Sequence, residues 1–109
     1  MHASPSTDAV FHALAHATRR AVVARLGRGP ASVGELAAPF DLALPTFCQH
    51  LRVLEDAGVV LSRKDGRVRT YSLAPEPLAE VEGWLAVQRA LWARRLDQLD
   101  AFLTTPEPP

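Results

Sequence analysis

The sequence predicts a mainly helical fold carrying one β-hairpin. Three observations carry that expectation. Ser32 and Glu35 form a Ser-x-x-Glu capping box that opens a short helix. An amphipathic stretch follows one turn later, over residues 44–57. Asp65-Gly66 then lies between two β-prone runs, the strongest short-range hairpin signal. The chain has 109 residues, enough for one domain that buries roughly 65% of its unfolded surface. With 48% hydrophobic and 22% charged residues it has the composition of a folded protein, which excludes whole-chain disorder.

The elements follow in chain order. Residues 1–7 form a flexible start with neither the basic cluster nor the apolar run of a secretory signal. A first helix spans residues 8–16, capped by Ser6 or Thr7, with Val10, Phe11 and Leu14 on its apolar side. Thr18 can cap a second helix carrying Val22, Val23 and Leu26, which stops at the breaker 27–30 (GRGP). The capping-box helix continues through Leu36 and Ala37 and ends near Pro39.

A turn at residues 40–43 leads into the helix at 44–57, which Gly58 stops. Pro45 is tolerated there because a first-turn N–H has no helical partner. At 100° per residue Phe47, Leu51 and Leu54 share one face. The opposite face carries Pro45, Thr46, Gln49, Arg52, Val53 and Asp56, with Cys48 and His50 on the flanks. A short helix, a turn and a helix with a polar outer face make a candidate helix-turn-helix.

In the hairpin, a two-residue loop of Asp65-Gly66 pairs Lys64 with Arg67, Ser62 with Arg69 and Val60 with Tyr71. Its tip is basic and its base apolar. The last helix spans residues 76–103. Leu78, Val81, Leu85, Trp92, Leu96, Leu99 and Leu103 recur along it in helical steps, with Trp84, Val87 and Leu91 beside them. That is more apolar surface than one small domain covers, so a second copy of the chain is the expected partner. Phe11 and Leu14 join Leu78, Val81, Leu85, Trp92, Leu96 and Leu99 as the candidate dimer interface. The domain thus covers residues 8–103, and the proline-rich tail 104–109 is expected to be disordered.

The formal net charge is zero, which on its face argues against a nucleic-acid partner. Its distribution reverses that reading. Residues 1–30 carry Arg19, Arg20, Arg25 and Arg28 against Asp8, and the hairpin carries Arg63, Lys64, Arg67 and Arg69 against Asp65. Acidic residues dominate 31–58 and 75–109. Such asymmetry suits phosphate contact at one surface.

Helix, helix, helix-turn-helix, hairpin and long helix is the order of a winged helix-turn-helix. Three stretches resemble one bacterial family, the ArsR (arsenic-repressor-like) regulators: the opening at 11–20 (FHALAHATRR), the run at 44–60 (LPTFCQHLRVLEDAGVV) and the wing at 65–73 (DGRVRTYSL). The resemblance covers about residues 8–103. It implies a homodimeric transcription factor, most often a repressor released by a signal, whose first and last helices pair across the dimer axis. It also implies that the 44–57 helix enters the major groove of a double-stranded DNA operator while the wing touches the backbone. Departures matter too. Metal-sensing members carry Cys-Val-Cys where this chain has Ser32, Val33 and Gly34, and the last helix here has no His. No metal and no cofactor are therefore expected. Ala43 and Cys48 each stand where the family usually has Ser.

The candidate reading residues are Pro45, Thr46, Gln49, His50 and Arg52. Gln49 can pair with adenine through N6 and N7, and Thr46 can meet a thymine methyl or a phosphate. Arg52 and the wing residues Arg63, Lys64, Arg67 and Arg69 suit phosphates, which position without reading sequence. His50 is open between a phosphate and a neighbouring helix. Cys48 is either a thiol sensor or a small packed replacement for Ser. His12 and His16 have metal-pair spacing but no accompanying ligands, and Trp84 and Trp92 read as dimer packing. One cysteine and no apolar run of membrane length point to a cytoplasmic protein without a membrane partner. No nucleophile elbow, phosphate loop or metal-protease pair points to an enzyme. A winged helix that docks an acidic protein instead of DNA is the competing reading; a steep salt dependence of duplex binding separates the two.

Overall fold

A computed structural model describes residues 7–104. Helices α1 (Thr7–Leu14) and α2 (Ala17–Leu26) are followed by a two-residue strand β1 (Ala31–Ser32). Then come α3 (Val33–Ala37), α4 (Leu44–Asp56), the hairpin strands β2 (Val60–Asp65) and β3 (Val68–Leu73), and a long α5 (Pro75–Thr104). The order is that of a winged helix-turn-helix, as expected. The small sheet has order β1-β3-β2 and is antiparallel throughout.

The core is assembled where the periodicity placed it. Phe47, Leu51 and Leu54 of α4 are at most 1% exposed. They meet Val10 and Ala13 of α1, Val22 and Leu26 of α2, Leu36 of α3, and Val59, Val60, Tyr71 and Val81 from the hairpin and α5. Burying side chains of this size stabilises by about 1.5–3 kcal/mol each, so this cluster fixes how α4 sits on the helices behind it. In α1 the buried pair is Val10 and Ala13. Leu14 is only partly buried, and Phe11 turns outward to meet Trp84 edge-to-face at 5.7 Å.

Helix ends explain most boundary differences. Thr7 is already helical, so it is not the cap of α1, and Ser6 lies outside the described residues. The cap of α2 is His16 and not Thr18: its Nδ1 accepts the Thr18 backbone N–H at 3.1 Å. An imidazole acceptor at the N-cap does the work expected of a hydroxyl. Both halves of the Ser32–Glu35 capping box are formed. The Ser32 backbone N–H on Oε1, and then the Ser32 side chain, hold the Glu35 carboxyl below the usual carboxylate range. Helix α4 starts at Ala43 with extended backbone and no side-chain cap. It ends in a Schellman turn: Val59 N–H donates to the Leu54 carbonyl and Gly58 N–H to that of Glu55. Gly58 takes φ 77°, which only glycine adopts without strain, and the turn delivers Val59 onto Leu54 in the core.

Two features differ from expectation. Strand β1 was not anticipated; it pairs Ala31 with Tyr71 and Ser32 with Thr70. The hairpin loop is Gly66-Arg67 and not Asp65-Gly66, so Asp65 pairs with Val68, Lys64 with Arg69, Ser62 with Tyr71 and Val60 with Leu73. Gly66 alone has positive φ, at 66°, and Asp65 and Arg67 do not. Glycine at the first central position bears the strained conformation, and Asp65 is spared a left-handed backbone that a side chain disfavours. The partner of each residue moves by two, so every side chain keeps its expected face.

Helix α5 packs on the rest through its first turns, where Val81 is buried and Leu78 partly so. From residue 82 onward it stands largely clear. Trp84, Leu85, Val87, Leu91, Trp92, Leu96, Leu99, Phe102 and Leu103 are all exposed. Among the described residues no helix is long and apolar enough to cross a membrane.

Candidate nucleic-acid interface

The anchored face of α4 dictates the free one. With Phe47, Leu51 and Leu54 inside, helical geometry turns Pro45, Thr46, Gln49 and Arg52 to solvent, and all four are exposed. Val53, expected on the same face, is partly buried against the core. Cys48 is exposed and free, which removes the reading of it as a packed replacement for Ser. Behind α4 its partner in the helix-turn-helix, α3, is held by Leu36, while Phe40 from the turn lies 5.4 Å from Phe47.

The wing adds the positive charge. Arg63, Lys64, Arg67 and Arg69 are exposed on strands β2 and β3 and at their tip. Lys64 and Arg69 sit directly across from each other, a like-charge pair that costs some stability and that a neighbouring anion would relieve. The wing is tied to α4 by a relay that sequence reasoning missed. Arg69 Nη1 donates to Ser62 Oγ at 2.9 Å, and Ser62 Oγ donates to Glu55 Oε2 at 2.7 Å. Ser62 lies seven residues from each partner, a spacing that carries no local signal. Beneath it the Tyr71 hydroxyl is pushed above its ordinary range by burial and then by the Glu55 carboxylate.

A second cluster clamps the other flank of α4. Arg19 Nε donates to the Ala13 carbonyl at 2.7 Å and Nη2 to the His12 carbonyl at 3.2 Å, closing the end of α1. Its Nη1 reaches His50 Nδ1 at 3.2 Å. The His16 ring packs on the His50 ring with centroids 4.3 Å apart. His50 is therefore half-buried against the α1–α2 corner, unlike its exposed neighbours on α4. Because α1 ends at Leu14, His12 and His16 do not share a helix face. No group of three or more His, Cys, Asp or Glu among the described residues is arranged to hold a metal ion.

The likeness to known proteins decides the family. Residues 14–63 match the model of a helix-turn-helix domain. The HTH-type transcriptional regulator Rv2034 of Mycobacterium tuberculosis is 47% identical over 74 residues, spanning 68% of this chain and 69% of the relative. A crystal structure of an ArsR family transcriptional regulator is 55% identical with a TM-score of 0.74, covering 79% of this chain and 94% of that one. This chain belongs to the ArsR family of winged helix-turn-helix regulators. It is a DNA-binding transcriptional regulator. A biofilm growth-associated repressor of Agrobacterium fabrum is 40% identical over 68 residues; the match spans 62% of this chain and 58% of the repressor. The exposed face of α4 and the basic wing, linked through Glu55, Ser62 and Arg69, are the candidate interface.

Proposed function

We propose that this regulator is a homodimeric repressor that reads a double-stranded operator with α4 and grips its backbone with the wing. The supporting observation is the juxtaposition of an exposed polar face (Thr46, Gln49, Arg52) with four exposed wing cations, in a chain whose net charge is zero. A neutral protein cannot coat DNA through bulk charge, so binding rests on this one surface. Thr46 and Gln49 read base edges, with Pro45 setting the helix entry, while Arg52, Arg63, Lys64 and Arg67 contact phosphates. Arg69 contacts a phosphate through the N–H groups that Ser62 leaves free.

The second copy docks on α5. Phe11, Leu85, Trp92, Leu96 and Leu99 supply its exposed apolar surface, while Leu14 and Leu78 contribute from the half-buried margin. Val81 lies within the chain's own core and offers little to a partner. The protein works in the cytoplasm, acts by binding alone, and leaves its operator on a signal. Exposed Cys48, one residue before Gln49, is the candidate receiver of a thiol-reactive signal.

Fluorescence anisotropy on duplexes from the protein's own promoter region, across a salt series, tests the reading. The expected result is nanomolar to micromolar binding that weakens steeply with salt, by about 0.9 in logarithmic slope per phosphate contacted. Negligible affinity for every duplex at low salt would favour the docking of an acidic protein instead.

A further inference from the structure

We propose that His50 is a positioning residue for DNA reading: a neutral acceptor that pins α4 to the α1–α2 corner through Arg19, and whose protonation releases it. This rests on the reading of α4 as the DNA-reading helix. As a hydrogen bond, the contact with Arg19 admits one protonation state of His50. A guanidinium has donors and no acceptor, so the contact between Arg19 Nη1 and His50 Nδ1 at 3.2 Å requires a bare Nδ1. The neutral ring then carries its proton on Nε2. A second proton must go to Nδ1, where it removes the acceptor and sets a cation against the guanidinium.

The surroundings reinforce this. The groups that act on the ring are His16, at the N-cap of α2, and Arg19 of α2, and no carboxylate is among them. His16 itself accepts the Thr18 N–H through its Nδ1. Burial first, then His16 and Arg19, hold the His50 pKa below its ordinary value of 6.5. With a lowered histidine pKa the unfolded chain takes up the proton first. The folded state therefore loses stability as pH falls from about 6.5 toward the folded value, and is unaffected above.

Arg19 makes the corner a lever. Its other two bonds go to carbonyls at the end of α1, so one side chain joins α1, α2 and α4. His50 lies next to Gln49, and a shift at this corner is a shift of the reading face.

The two roles open to His50 have opposite pH signatures. A histidine on a phosphate binds DNA more tightly when protonated. A positioning histidine that must stay neutral loses affinity with acid. The experiment is operator binding of the full chain from pH 7.5 to 5.5 at constant salt, for wild type and His50→Asn, with circular dichroism confirming that both stay folded. Asn retains an acceptor oxygen near the Nδ1 position and does not titrate. Wild-type affinity is expected to fall, by less than the roughly tenfold that an unshifted histidine would give over this range. The fall should be absent in His50→Asn, whatever its affinity at pH 7.5. Affinity that rises with acid, a flat wild-type profile, or an equal fall in His50→Asn would overturn the proposal.

If no duplex is bound even at pH 7.5, the DNA reading itself has failed. Imidazole nitrogen NMR on the free protein still decides the local part. An Nε2–H tautomer at His50 whose titration moves the α4 amides supports the clamp, and an Nδ1–H tautomer removes it.

Discussion

At the residue scale a few side chains have surroundings that give them work. Ala43 begins α4 in the extended conformation of an N-cap but offers no oxygen to the first-turn N–H groups. Ala43→Ser should therefore stabilise the protein by about 1 kcal/mol, read as a raised urea midpoint at fixed protein concentration. An unchanged midpoint would mean that the first turn of α4 already has partners in solution. Cys48 offers a sharper contrast. Diamide or peroxide should weaken operator binding by wild type several-fold and leave Cys48→Ser untouched, because an adduct there stands beside Gln49. Equal insensitivity of the two proteins would retire the thiol idea. His50 and Arg19 complete this scale. Only the structure shows the helix flank that meets the α1–α2 corner, since the partners are 31 residues apart in sequence.

Elements explain how exposed side chains become a surface of fixed shape. Helix α4 is held from below by Phe47, Leu51 and Leu54, closed by the Schellman turn at Gly58, and linked to the wing through Glu55, Ser62 and Arg69. Ser62→Ala should break that link without unfolding the sheet, because alanine keeps the backbone pairing with Tyr71. The expected cost is a few-fold in operator affinity, about 0.5–1.5 kcal/mol for a single hydrogen-bond relay. A double-mutant cycle with Arg69→Ala checks it: losses that simply add would show that the relay does not position Arg69. Much of this level was legible in the sequence. The capping box, the stop at Gly58 and the apolar stripe of α4 each depend on residues within one or two turns of each other. Strand β1 was not legible, because two residues carry no alternation and their register is set by Tyr71 and Thr70. The hairpin loop was misplaced by one residue for a related reason. Asp-Gly signals a turn, but which residue takes the positive φ depends on the pairing beyond it, and here Gly66 takes it alone.

The whole molecule is an elongated body with a radius of gyration of 19.9 Å, against about 13 Å for a compact domain of its length. The excess is α5, whose outer turns carry exposed Trp92, Leu96 and Leu99. In the proposed homodimer, two copies related by a two-fold axis would cover that surface and bring two reading heads to one face of DNA. A charge buried in such an interface occurs twice, so Leu96→Glu should weaken the dimer more than a hundredfold, about 3 kcal/mol or more. Sedimentation would show wild type as dimer and the variant as monomer at micromolar concentration. A wild type that sediments as a monomer would sink this part of the account. The neutral total charge also acquires meaning at this scale, since its acidic and basic residues are concentrated on different elements, α5 and the wing.

In the proposed assembly two copies present α4 and the wing to one operator. A hydroxyl-radical footprint of the full chain on its own promoter region tests it most directly. Two protected half-sites are expected, centred about one helical turn apart. A single isolated half-site, or uniform cleavage at a protein concentration that saturates anisotropy, would contradict it.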